Sequence, residues 1–390
     1  MVRTFGKWFG RALLALALAA IVIGLWKREE ITRLMAVNSL FSEGKIVSNF
    51  SNMDDLFLTT PVPRGDGAVV ELPRGFDMSL PDGFDDWLER RSVTAILVLK
   101  DGDIRHEAYL QGTQETDRRI GWSIAKSYVS ALFGIVLDDG KIKSLDDQVT
   151  DYAIGLAGSA YQGATIRDVL QMSSGVVFNE DYLDYDSDIN KMGRTLALGG
   201  RMDDFAASLF DSYTPPGTEW NYVSIDTHVL AMVLRGATGM PLADLLSDHI
   251  LSRLGQEQDA YYVTDGAGVA FALGGLNLTL RDYARFGLMI ANGGRWNNQQ
   301  IVPAAWIDES TLPSAKTKPG EKQYGYQWWM ASDARDTEYF GQGIYGQYLY
   351  IDEPNGVVIV SMAADRQFRE PGVSDENIAM FRSIVENLKE

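Results

Sequence analysis

The chain has 390 residues, 46% of them hydrophobic and 23% charged, a balance that suits a packed globular core and excludes disorder along its whole length. Its net charge is −18, from 35 basic and 53 acidic residues, and no Lys/Arg-rich run lies beyond the N-terminus, so nucleic acid is not an expected partner. Cysteine is absent and the three histidines (His106, His228, His249) stand at no metal-ligand spacing, so disulfides and thiolate chemistry are excluded and neither a metal nor an organic cofactor is expected.

Residues 1–26 open with Arg3, Lys7 and Arg11 and continue as the apolar run Ala12 to Trp26, which ends at Lys27-Arg28-Glu29-Glu30. Fifteen apolar residues make about 22 Å of helix, and Trp8, Phe9 and a snorkelling Arg11 extend it toward a ~30 Å hydrocarbon core. The expectation is a membrane anchor with the body exported, since the positive charges precede the run. A cleaved signal peptide with a secreted body is the alternative, although Ile23-Gly24-Leu25 makes a poor cleavage site. Residues 27–75 read as an extension packed on the body, with a loop from Thr59 to Gly67. The body, 76–390, starts with a hairpin: Ser92 to Lys100, the turn Asp101-Gly102, then Ile104 to Leu110. The middle, about 123–300, is mostly helical by period, with helices over Ser127–Leu137, Thr165–Met172, Ile225–Arg235, Leu242–Leu254 and Arg281–Asn292. A second hairpin follows, Tyr348 to Ile351 and Val357 to Met362 about a turn at 353–356. A last helix buries Ile378, Phe381, Ile384, Val385 and Leu388, with Ser374 as its expected N-cap. The pattern predicts an α+β fold: an antiparallel sheet from both ends of the body, flanking helices and an inserted helical subdomain.

Three stretches could carry chemistry. Ser123 and Lys126 lie three apart at a helix start, so the amine can reach the hydroxyl, and free N–H groups there favour a developing anion. Serine is a weak nucleophile until a base takes its proton, and a buried lysine can serve as that base once its pKa falls. Alone the pattern is weak: Ser42-Glu43-Gly44-Lys45 repeats it in a Gly-broken context, and Ser123 reads equally well as an N-cap. Tyr222 and Ser224, two apart in an extended turn, can enter one cleft; core tyrosine and N-cap are the plainer readings. The glycine-rich Gly341-Gln342-Gly343-Ile344-Tyr345-Gly346-Gln347 marks close backbone approach, with an edge N–H that can serve an oxyanion.

Taken together, in this order and about 100 and 120 residues apart, the three resemble the serine β-lactamase and penicillin-binding-protein superfamily, in its class C-like esterase branch. Thr165 to Gly175, Gly274 to Gly287 and Tyr324 to Trp329 resemble that branch too, and the likeness spans about 90–365. Within it, Asn49 to Phe57 and Gly343 to Gln347 look like the 6-aminohexanoate-dimer hydrolases and related carboxylesterases. The resemblance implies a β-lactamase/DD-peptidase-like fold and a serine hydrolase acting on a small ester or amide. It implies Ser123 as nucleophile, Lys126 as base, Tyr222 as proton relay, and the Ser123 and Ile344 N–H groups as oxyanion hole. Tyr182, with Tyr185 as competitor, Ser224, Gly343 and Tyr345 are the implied substrate contacts.

Two departures limit the likeness. The third strand reads Gly341-Gln342-Gly343, with no basic residue where β-lactamases carry Lys-Thr-Gly, and Tyr-x-Asn has become Tyr222-Val223-Ser224. With −18 overall there is no general attraction for an anionic β-lactam, so efficient β-lactamase activity is not expected, and β-lactamase or D-alanyl peptidase activity is kept as the alternative hydrolase reading. Two other readings compete. Gly121-Trp122-Ser123-Ile124-Ala125 mimics a nucleophile elbow, but that fold needs alternating strands and helices and a late catalytic His. A catalytically idle, membrane-tethered relative is the non-enzyme reading. Oligomeric state is left open.

Overall fold

The computed structural model describes residues 2–389. Its body centres on a seven-stranded antiparallel sheet. The strand order is Asp103–Tyr109, Val93–Lys100, Val357–Ala363, Gln347–Asp352, Glu338–Gly343, Trp329–Met330 and Gln323–Tyr324. Both expected hairpins form there. In the first, Asp101 and Gly102 have φ of 54° and 91°, the left-handed pair that a tight two-residue hairpin turn needs. The central strands are covered on both faces, which explains why they read as continuous apolar runs and not as alternation.

On one face the helices Phe84–Arg90 and Val373–Asn387 pack Phe84, Trp87, Phe381 and Ile384 against Ile96, Val98, Tyr350 and Ile359. The last helix starts one residue before Ser374, with Gly372 as N-cap, so the N-cap expectation is corrected. Ser374 instead takes a hydrogen bond from Lys322 Nζ at 3.0 Å. The other face meets the helix Leu280–Ala291, where Gly287 lies so close that a Cβ would come within 2.7 Å of Leu349 and Val358. Each buried Val, Leu or Ile in these layers contributes about 1.5–3 kcal/mol.

The five expected helices are present as Ala125–Asp138, Ile166–Leu170, Ser224–Thr238, Leu242–His249 and Leu280–Ala291. Thr165 caps the second through a reciprocal bond pair with Asp168. The middle is less purely helical than its periodicity predicts. A four-stranded sheet runs through it, ordered Thr59–Val62, Ala260–Val263, Leu276–Leu278 and Arg119–Ile120. Thr59–Val62, expected as loop, is thus a strand of the body, paired with Ala260–Val263. The extension is tied down a second time by Arg285, fully buried, which donates to the Val70 carbonyl (2.8 Å) and pairs with Asp282 at 2.8 Å.

Val2–Trp26 is one helix of 25 residues, and described side chains such as Leu14, Leu16, Val22 and Leu25 are exposed. Among the described residues no single helix is long and apolar enough to cross a membrane; Arg11–Trp26 is a shorter apolar helix.

Candidate active site

The short strand Arg119–Ile120 delivers the chain to a turn, Trp122–Ile124, that leads into the helix Ala125–Asp138. Tyr283 holds this approach: its hydroxyl sits 3.1 Å from the Arg119 carbonyl and 3.0 Å from that of Leu276 on the neighbouring strand. Trp122 has φ +46°, a left-handed conformation that a bulky side chain rarely adopts and that costs on the order of 1–3 kcal/mol. The turn presents Ser123 at the mouth of two adjoining spaces.

Lys126 lies one helical turn on, 1% exposed, with Nζ 3.0 Å from Ser123 Oγ and 2.7 Å from the Leu273 carbonyl, to which it donates. Burial brings its pKa down from 10.5 to about 7, against the opposing pull of Glu180 and Asp226. Tyr222 stacks on Trp329 at 5.2 Å, and its ring lies 5.4 Å from Lys126 Nζ. Burial pushes the Tyr222 phenol up, partly offset by the Ser123 and Ser224 hydroxyls, so at neutral pH it keeps its proton.

The glycine-rich strand Glu338–Gly343 runs against the Ser123 turn. A Cβ at Gly341 would lie 3.2 Å from Ser127 Oγ, and one at Gly343 would collide with the Gly121 carbonyl oxygen. This is the close backbone approach that the glycines signal. The Ser123 and Ile344 amides donate to no backbone carbonyl among the described residues. Gly343 and Ile344 line the outer cleft together with Ser123, Tyr182 and Tyr222.

The other expected contacts divide. Of the two loop tyrosines, Tyr182 borders both spaces, whereas Tyr185 is exposed and stacks on the Arg194 guanidinium at 3.9 Å. Ser224 is not an N-cap; it is the first residue of its helix, with Val223 before it in extended conformation. It borders the inner space, and its amide donates to Glu180. Tyr345 does not itself line either space but packs on Phe41 of the inner one and Phe368 of the outer one. Its backbone has φ +60°, and the ring centroids lie 4.5 Å from Phe41 and 4.7 Å from Phe368.

Several residues at the site were not singled out from the sequence. Glu180, two positions before Tyr182, is a buried carboxyl that accepts from the Tyr182 hydroxyl at 3.2 Å. Burial raises its pKa, offset by the Ser224 amide. Asp226 lies deeper and accepts from Tyr161 (2.7 Å) and Ser174 (2.9 Å), with burial lifting its pKa to about 7. Lys322 places a basic group beside the Gly341–Gly343 strand: its Nζ donates to Gln342 Oε1 at 2.8 Å above the Trp329 ring. Only the Asn179-Glu180-Asp181-Tyr182 run carried a signal, and it was read for its tyrosine. His228, fully buried, is held by Asp203 at 2.8 Å, far in role from a triad histidine. Among the described residues no group of three or more His, Asp or Glu is placed to hold a metal ion.

Comparison with known proteins shows the family and the fold. The beta-lactamase family model matches residues 84–379. A 6-aminohexanoate-dimer hydrolase of Paenarthrobacter ureafaciens is 32% identical over 334 residues, covering 81% of this chain and 84% of that one. Among solved structures, a Bacillus anthracis protein provisionally described as a 6-aminohexanoate-dimer hydrolase superposes with a TM-score of 0.80 at 23% identity, over 90% of this chain and 96% of that one. A penicillin-binding protein from Bacillus halodurans gives 0.60 at 18% identity, over 76% and 98% of the two chains. These two share the fold. The family match and the 32% relative, both spanning most of the chain, establish that it is a serine hydrolase belonging to the beta-lactamase family.

Proposed function

We propose that the chain hydrolyses carboxylic esters or small amides through an acyl-enzyme on Ser123. The observation that carries this is the pair of Ser123 Oγ and Lys126 Nζ, 3.0 Å apart, with the amine buried deeply enough to be half neutral near pH 7. The neutral amine takes the Ser123 proton and Ser123 attacks the carbonyl. The Ser123 and Ile344 N–H groups hold the resulting oxyanion. Tyr222, a phenol and not a phenolate at this pH, is suited to donate; it passes a proton to the leaving group and takes one back from the Lys126 ammonium, and water then adds to the acyl carbonyl and releases the acid and Ser123. The relative at 32% identity is named for hydrolysing a dimer of 6-aminohexanoate, which favours including amides.

The test is hydrolysis of p-nitrophenyl acetate by the full chain and by Ser123→Ala, with a chromogenic cephalosporin in parallel. Ester turnover lost in the variant, with slow or no cephalosporin turnover, supports the reading. Turnover that survives the substitution refutes it, and efficient cephalosporin turnover would favour a β-lactamase.

A second reading concerns location. The uncovered apolar side chains of Arg11–Trp26 favour a tether at a lipid surface, and the positive charges that precede the run favour the exported side for the body. The full chain should float with phospholipid vesicles and lose this on combining Leu16→Lys with Val22→Lys. A wild-type chain that stays in the aqueous fraction contradicts it.

A further inference from the structure

Ser123 stands between two unlike spaces. The outer cleft is open and carries Glu180, Tyr222, Lys322 and Arg369. The inner one is more enclosed, a cavity of about 100 Å³. The extension forms part of its wall through Leu40, Phe41, Met53 and Phe57, and the helix Asp188–Ala197 forms another through Ile189 and Met192. Ser123, Tyr182 and Ile344 border both, whereas Tyr222 borders only the outer cleft.

We infer that the inner cavity is the acyl pocket, and that the substrates carry a short, uncharged apolar acyl group. This rests on the acyl-enzyme reading above. If Tyr222 serves the leaving group, the leaving group occupies the outer cleft and the acyl chain takes the space on the other side of Ser123. No charged side chain lines that space among the described residues, so an ionised acyl group would lose its hydration without gaining a partner. Of its polar wall residues, Asn190 is already committed, donating to the Tyr182 and Asp184 carbonyls at 3.0 and 2.8 Å, and the two polar atoms left without a partner, Ser224 Oγ and Trp122 Nε1, are uncharged. An apolar cavity of about 150 Å³ holds a six-carbon benzene ring, so one of about 100 Å³ suits about four carbons.

Gly193 adds an independent sign. It sits inside the helix Asp188–Ala197, where glycine weakens a helix, and it lines the cavity. A Cβ there would meet nothing within 4 Å. No packing contact asks for glycine at this point. A side chain here would extend into open space at the cavity wall.

The test is a series of p-nitrophenyl esters (acetate, butyrate, hexanoate, decanoate) with the full chain, below micelle-forming concentrations. The leaving group is constant, so differences report the acyl side. Each buried methylene should raise kcat/KM about fourfold, for a gain of at least tenfold from acetate to the best of butyrate and hexanoate, followed by a fall at decanoate. Gly193→Leu, which fills the cavity and improves helix propensity, should lower the hexanoate-to-acetate ratio at least tenfold, and Gly193→Ala should fall between. A flat wild-type profile, a climb continuing through decanoate, or a wild-type ratio in folded Gly193→Leu overturns the acyl pocket and leaves the Ser123 acyl-enzyme standing. Turnover that survives Ser123→Ala overturns the acyl-enzyme reading itself.

Discussion

With its pKa brought to about 7 by burial, Lys126 is neutral in more than half of molecules at pH 7.5, whereas an exposed lysine is neutral in about one in a thousand. The ester kcat/KM should therefore rise with pH along a limb centred near 7 and level off above about 8. Lys126→Arg, whose guanidinium does not titrate, should remove that limb and lower turnover at least ~10³-fold. The same displacement acts on folding. The unfolded lysine keeps its value of 10.5, so between about 7 and 10.5 the unfolded chain binds more protons than the folded one. Stability from this group thus rises with pH across that window, and below pH 7 the buried charge carries its full cost. At about 1.36 kcal/mol per pH unit that cost is ~4–5 kcal/mol. Lys126→Met recovers it but leaves the Leu273 carbonyl without its donor, a loss of about 1–3 kcal/mol. Urea denaturation at pH 6 should find the variant about 2 kcal/mol more stable than wild type, with the advantage gone by about pH 10. A variant less stable than wild type at pH 6, or a limb that persists in Lys126→Arg, would refute the reasoning.

Three further outcomes follow from the geometry. Tyr222→Phe should lose about 10²–10⁴-fold on alkyl esters and amides but far less on p-nitrophenyl esters, whose leaving group departs without a proton; equal losses on both would remove Tyr222 as proton donor. Gly343→Ala should push the Gly121 carbonyl and displace the Ser123 turn, lowering kcat about 10²–10³-fold and, because the clash is with backbone, the melting temperature as well; wild-type kcat would show that this strand end does not set the turn. Gly134→Ala places a methyl in the Trp306 ring, and overpacking of about 1–3 kcal/mol outweighs the helix-propensity gain; thermal denaturation should show a lowered midpoint.

The parts of the fold legible in the sequence were those with local signatures. Asp101-Gly102 between two apolar runs specifies a hairpin by itself, and the 3.6-residue period marks the helices to within a few residues. Thr59–Val62 was missed because its partner lies about 200 residues away, and a four-residue strand behind Pro61 and Pro63 has no periodicity of its own. Ser123, Lys126 and Tyr222 could be read because two of them share a helical turn and all three sit in motif order. Glu180 and Lys322 come from loops, where no period says which way a side chain points. Tyr345 shows the converse: its motif was legible, but the left-handed φ at that residue, which sets where the ring packs, has no signal in the sequence.

The central claim is that Ser123 is the attacking group. Labelling the full chain with a fluorophosphonate, followed by trypsin digestion and mass spectrometry, tests it directly. Cleavage after Arg119 and Lys126 isolates Ile120–Lys126, whose one hydroxyl-bearing residue is Ser123. The account predicts a single phosphonyl adduct on that peptide, formed faster above pH 7 than below it and absent in Ser123→Ala. A folded chain that stays unlabelled, or an adduct on any other peptide, would contradict it.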